Sequence, residues 1–128
     1  EWQKDNIKIS RNKDSDKGGT MRLGSYPCVL KEGSFVQKIY KANIINERHR
    51  HRYEVNSNYI NDFEKHNFIF SGMSPDNSLP EIIESTNLDW FVGVQFHPEF
   101  KSRPLNPHPL FVSFVEACLN NKNKNEKN

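Results

Sequence analysis

The sequence has few of the residues that usually announce a chemistry. Of its 128 residues only two are cysteine, Cys28 and Cys118, and they match no metal or disulfide spacing. A reducing, cytoplasmic setting is therefore the default expectation. No apolar run approaches a membrane span, and the first residues lack the charged-then-apolar pattern of a signal peptide. An excess of one charge is missing too. Eighteen Lys and Arg stand against sixteen Asp and Glu, and a net +2 is too small to argue for a nucleic-acid partner. The glycines at 18, 19 and 24 are followed by no Gly-Lys-Ser/Thr, which excludes a phosphate-binding loop and leaves a structural turn. There is no initiator methionine, so the chain reads as an excised piece rather than a natural start.

What is present is polar, with 34% hydrophobic residues and a mean hydropathy of -0.85, but that polarity gathers at the two ends. The length suits one domain with a core and not two. Residues 1–17 are charged and rich in Asn, Asp, Lys and Ser, and read as a mobile loop. Residues 18–119 form the globular part. The Asn/Lys-rich stretch 120–128 reads as a disordered tail.

One stretch organises the rest, Asp89-Trp-Phe-Val-Gly-Val-Gln-Phe-His-Pro-Glu-Phe100. Its uncharged run from Trp90 to Phe96 predicts a strand covered on both faces, as in the centre of a parallel sheet. The run stops at His97-Pro98-Glu99. In open α/β sheets chemistry sits just beyond such strand ends, and Pro98 restricts both itself and His97. An imidazole held beside a carboxylate is the base and orienting half of a nucleophilic triad. A capping or packing role for His97 is the competing reading.

Around it, Tyr26–Leu30 and Ser34–Tyr40 are β-prone runs flanking Lys31-Glu32-Gly33, which predicts a hairpin. Cys28 then lies in a strand as a half-buried small hydrophobe. A short helix is predicted over 57–66, capped by Asn56 or Ser57, then strands at Phe68–Gly72 and Glu81–Glu84 around a polar turn. Three prolines exclude regular structure from Ser102 to Pro109. Pro109 suits a first helical position, and Leu110, Phe111, Phe114, Val115 and Cys118 share a helical face that predicts a core helix.

The second unusual stretch is Glu47-Arg-His-Arg-His-Arg-Tyr-Glu-Val-Asn56. If extended, it sets Arg48, Arg50 and Arg52 on one face and His49, His51 and Tyr53 on the other. A guanidinium ridge suits carboxylate or phosphate recognition, and Tyr53 and Val55, which suggest a partly buried strand, favour that slightly over a solvated edge strand. That leaves open a non-enzymatic anion-binding module using Arg48, Arg50 and Arg52. A zinc protein using His49, His51 and His97 is a third option.

Several stretches, in order, resemble the CTP synthase family: GGTMRLG at 18–24, ERHRHRYEVN at 47–56, VQFHPEF at 94–100 and SRPLNPHPLF at 102–111. They lie in the C-terminal part of its class I glutamine amidotransferase domain, and the resemblance covers nearly all of 18–119. It implies an α/β, flavodoxin-like fold with a mostly parallel sheet flanked by helices, incomplete without the upstream half. It implies a Cys-His-Glu triad that hydrolyses L-glutamine, with His97 as general base, Glu99 as its orienting carboxylate and Arg52 contacting glutamine. The ammonia would pass to a synthetase domain that aminates UTP to CTP with ATP and magnesium, under activation by GTP, in a homotetrameric cytoplasmic ligase. No cofactor or metal is expected in this chain itself, and neither nucleic acid nor membrane is an expected partner. The family's nucleophile elbow is absent, since neither cysteine stands in a Gly-rich turn. The nucleophile is expected upstream, and the isolated chain is expected to be inactive. The FHPE segment is shared by other class I amidotransferases, which remain the alternative enzyme reading.

Overall fold

The computed structural model describes Trp2–Lys4, Ile7–Ile9 and residues 21–126. Strands β1 (Trp2–Lys4) and β2 (Ile7–Ile9) pair antiparallel in a ladder of their own, inside the stretch expected to be a loop. The rest of that expectation, and the glycine pair 18–19, lie outside the described residues.

Strands β3 (Arg22–Leu30) and β4 (Ile44–His51) form a long antiparallel pair running from Arg22 opposite His51 to Val29 opposite Ile44. Along β4 the exposure alternates strictly. Ile45, Glu47 and His49 are buried, while Arg48 and Arg50 point outward, as the period-2 reading of this run requires. Between β3 and β4 the chain is helical, not the second strand of a hairpin. Helix α1 (Phe35–Tyr40) starts at Ser34, whose hydroxyl accepts the Gln37 N–H (3.2 Å), while Gln37 Oε1 accepts the Gly33 N–H (2.7 Å). The first bond caps the helix, and the second ties its first turn to the residue just before the cap. The buried Glu84 carboxylate takes the next two orphan amides, Phe35 (2.8 Å) and Val36 (3.0 Å). Gly33, just before the cap, takes a positive φ of +75°.

A 3₁₀ turn at Ser57–Tyr59, capped by the Asn56 side chain, leads into α2 (Ile60–Lys65). Strands β5 (Phe68–Met73), β6 (Pro80–Ser85) and β7 (Val92–Val94) follow. The main sheet has the order β4-β3-β5-β6-β7, and every pairing in it is antiparallel. The mixed α/β character holds, but the expected parallel pairing does not occur among the described residues. Connections as short as those flanking β6 can join only antiparallel neighbours. The placing of the central strand is corrected as well. β7 is a three-residue edge strand of intermediate burial, and the strand covered on both faces is β6, with Glu81, Ile82, Glu84 and Ser85 all buried. Trp90, expected inside a strand, instead donates its indole N–H to Ser113 Oγ (3.0 Å) and packs edge-on against Phe114.

The two edges of this sheet meet. Just past β7, the His97 N–H donates to the Arg48 carbonyl of β4 at 2.9 Å, and the Phe96 ring sits 5.8 Å from that of His49. The sheet is thus curled around the core of Cys28, Leu30, Val36, Ile45, Ile82, Phe96 and Leu110. Helix α3 (Pro109–Asn125) begins at the predicted proline and is capped by His108, whose Nδ1 accepts the Leu110 N–H. Only Leu110 of its apolar face is buried. Phe111, Phe114, Val115 and Cys118 are exposed, so Cys118 is not a core residue of this chain. The helix also runs through Asn125, where a disordered tail was expected. Lys122 pairs with Glu126 one turn on (3.5 Å), and Lys124 reaches Asp89 (3.5 Å).

Candidate functional site

His97 and Glu99 stand where the curled sheet closes. His97 keeps an extended backbone (φ -112°, ψ 91°) ahead of Pro98, and Pro98–Lys101 forms a single 3₁₀ turn. The geometry brings the two side chains together, with His97 Nδ1 2.7 Å from Glu99 Oε1. The Glu99 carboxyl is held below the ordinary carboxylate range, first by its own backbone N–H and then by the His97 ring. An ionised carboxylate only accepts, so Nδ1 carries the proton and Nε2 of the neutral ring keeps its lone pair. Phe100, which the sequence reading passed over, stacks on the imidazole with centroids 5.0 Å apart and planes at 25°. Its side chain also borders an open concavity of about 470 Å³ that takes in Leu23, Gly24, Arg48 and Arg50. Gly24, at φ +104°, supplies backbone there that other residues rarely adopt. Both members of the pair lie at the surface, 39% and 56% exposed, so the imidazole faces outward from this chain.

Arg52 lies just beyond β4 and is exposed, four residues along the chain from the carbonyl that His97 grips. Behind the arginine ridge runs a buried polar network. Arg22 donates to Glu81 Oε1 (2.6 Å) and lies 3.6 Å from Glu54. Burial pushes the Glu81 carboxyl up, yet His49 and Arg22 outweigh it and bring it below its usual range. His49 Nδ1 and His51 Nε2 are 2.8 Å apart, and His51 Nδ1 donates to the Tyr53 carbonyl (2.9 Å). With that proton fixed, His51 Nε2 accepts from His49, and the two rings cannot both be charged. Burial accordingly depresses the pKa of His51 despite Glu54 nearby. The two rings therefore use their facing nitrogens on each other, and no group of three or more His, Cys, Asp or Glu among the described residues is arranged to hold a metal ion. Cys28 is fully buried beside Glu81, and desolvation and that carboxylate push its thiol far above the ordinary range. Such a thiol is not an available nucleophile.

Residues 6–117 match the family described as glutamine amidotransferase class-I. The chain is 64% identical over 122 residues to a CTP synthase of Pelagibacter ubique and 60% identical over 119 residues to one of Hyphomonas neptunium. These matches cover 95% and 93% of this chain and 22% of each relative, so the chain spans about a fifth of the length of those proteins. A solved structure of the Trypanosoma brucei CTPS glutaminase domain with bound acivicin superposes with a TM-score of 0.76 at 41% identity, covering 86% of this chain and 43% of that one. The chain therefore belongs to the class I glutamine amidotransferase family, and within it is similar to part of the CTP synthases.

Proposed function

We propose that this chain supplies the base and its orienting acid to a glutaminase site of the CTP synthase type, with the nucleophilic cysteine on another part of the complete protein. The observation that carries this is the 2.7 Å contact between His97 Nδ1 and Glu99. It leaves Nε2 as the working nitrogen, outward from the chain. Nε2 takes the proton of the thiol as the thiolate attacks the glutamine side-chain carbonyl carbon. The same nitrogen then returns that proton to the leaving ammonia, and next withdraws one from the water that hydrolyses the thioester. Glu99 holds the tautomer and balances the charge of the imidazolium. Arg52 is proposed to bind the α-carboxylate of free glutamine, for which a planar guanidinium is suited. Neither cysteine of this chain is assigned as the nucleophile, and the chain alone is proposed to be inactive.

In the complete protein the ammonia is proposed to aminate UTP with ATP and magnesium, under GTP activation, in a cytoplasmic homotetramer. No residue of this chain is assigned to those ligands. The branches serving other products are not favoured, because the similar proteins are CTP synthases throughout the leading matches.

Two substitutions in the full-length protein test the assignments. Glu99→Gln should lower kcat with glutamine by roughly 10³–10⁴-fold while ammonia-dependent CTP formation stays near normal. An equal loss with both nitrogen sources would remove Glu99 from its role. Arg52→Ala should raise the KM for glutamine by about tenfold or more, the scale of a lost charge-assisted hydrogen bond. An unchanged KM would count against it.

A further inference from the structure

The turn Pro98–Lys101 carries Glu99 yet buries none of its own side chains, so packing alone does not hold it. It is tied to β4 at both ends. At the start, the His97 N–H donates to the Arg48 carbonyl (2.9 Å). At the end, Lys101 Nζ donates to the Asn46 carbonyl (2.5 Å) and lies 3.3 Å from Glu47 Oε1. Glu47 is the deeper anchor. Its carboxylate is wholly buried, and Oε1 also receives the His108 Nε2–H (2.9 Å) and the Tyr40 hydroxyl (3.3 Å). Its Oε2 is buried with no hydrogen-bond partner. Burial pushes this carboxyl up, but His108 and Lys101 outweigh the effect and hold it below the ordinary range. Glu47 is therefore an anion at neutral pH, at an inward position of a strand where an apolar residue would fill the space without a desolvation penalty. The charge draws together α1 through Tyr40, the cap of α3 through His108, and the turn through Lys101.

We infer that Glu47 and Lys101 are positioning residues for the His97–Glu99 pair, a strap that fixes the turn on β4 so that the Glu99 carboxylate stays aligned with the imidazole. This inference rests on the proposed glutaminase reading and deepens it. Neither residue is assigned a contact with substrate. Lys101 is partly exposed, so its pull on Glu47 is screened, and the directed bond to the Asn46 carbonyl supplies the geometry. A misplacement of about 1 Å at a catalytic group can cost roughly 10²-fold in rate, which is the scale on which such a strap matters.

The test uses the full-length protein and compares Lys101→Met, Lys101→Arg and Glu47→Gln with Glu99→Gln as control. Lys101→Met should lower kcat with glutamine by about 10- to 100-fold, with the KM for glutamine changed by less than about twofold and ammonia-dependent CTP formation unchanged. Lys101→Arg should restore most of the activity. Glu47→Gln should resemble Lys101→Met if its Tm shows that it folds, and if it does not fold the lysine variants decide alone. Wild-type kcat with glutamine in Lys101→Met overturns the strap. So does a loss of rate that extends to ammonia-dependent CTP formation or is not rescued by arginine, which is the signature of a purely structural residue. Full glutamine activity in Glu99→Gln overturns the site reading itself, separately from the strap.

Discussion

A neutral imidazole has one donor and one acceptor, and at His97 the carboxylate of Glu99 settles which nitrogen is which. That detail was legible in the sequence because it needs only two residues of spacing and a proline between them. Its support was not. Glu47 lies 54 residues from Lys101 and 61 from His108, and only the fold brings them together. The two cysteines divide in the same way. Cys28 was read as a half-buried small hydrophobe in a strand; the strand is there, but the residue is wholly buried. Cys118 was read as core from its helical face, and it is exposed. For Cys28 the high thiol pKa predicts inertness. Iodoacetamide should leave it unmodified in the folded protein and label it after denaturation. Labelling of Cys28 under native conditions at the rate of a free thiol would contradict the burial described here.

At the scale of elements, local chemistry competes with composition. The run Ser34–Tyr40 looks β-prone by its Phe, Val, Ile and Tyr, but Ser34 and Gln37 stand at capping-box spacing and α1 forms. That signal was available in the sequence and outweighs residue preference once Glu84 adds its two bonds from another strand. Replacing Ser34 by Ala should therefore cost about 1 kcal/mol of stability in urea denaturation. A midpoint that does not move would mean that Glu84 alone caps the helix. The aromatic run 90–96 failed in the opposite direction. Its apolar character was read as a strand covered twice, whereas Trp90 packs on α3 and only Val92–Val94 pairs with β6. Periodicity reports burial well along β4, where one face is wet. It does not say which element covers a run that is apolar throughout.

At the scale of the molecule, the curl of the sheet puts the chemistry in one place. β4 and β7 are opposite edges, yet the His97–Arg48 backbone bond joins the end of one to the side of the other. The arginine ridge, the His97–Glu99 pair and the Phe100 ring thereby share one region of surface, beside the concavity of about 470 Å³. The motifs carrying this region could be read from the sequence, while the antiparallel pairing that assembles it could not, since strand order depends on contacts no local pattern encodes. The imidazole is the group on which the proposed chemistry turns, and the most direct test is a comparison of nitrogen sources in His97→Asn of the full-length protein. Glutamine-dependent CTP formation should fall by roughly 10⁴-fold or more while ammonia-dependent formation is retained. Glutamine-dependent turnover within a few fold of wild type would contradict the proposed chemistry.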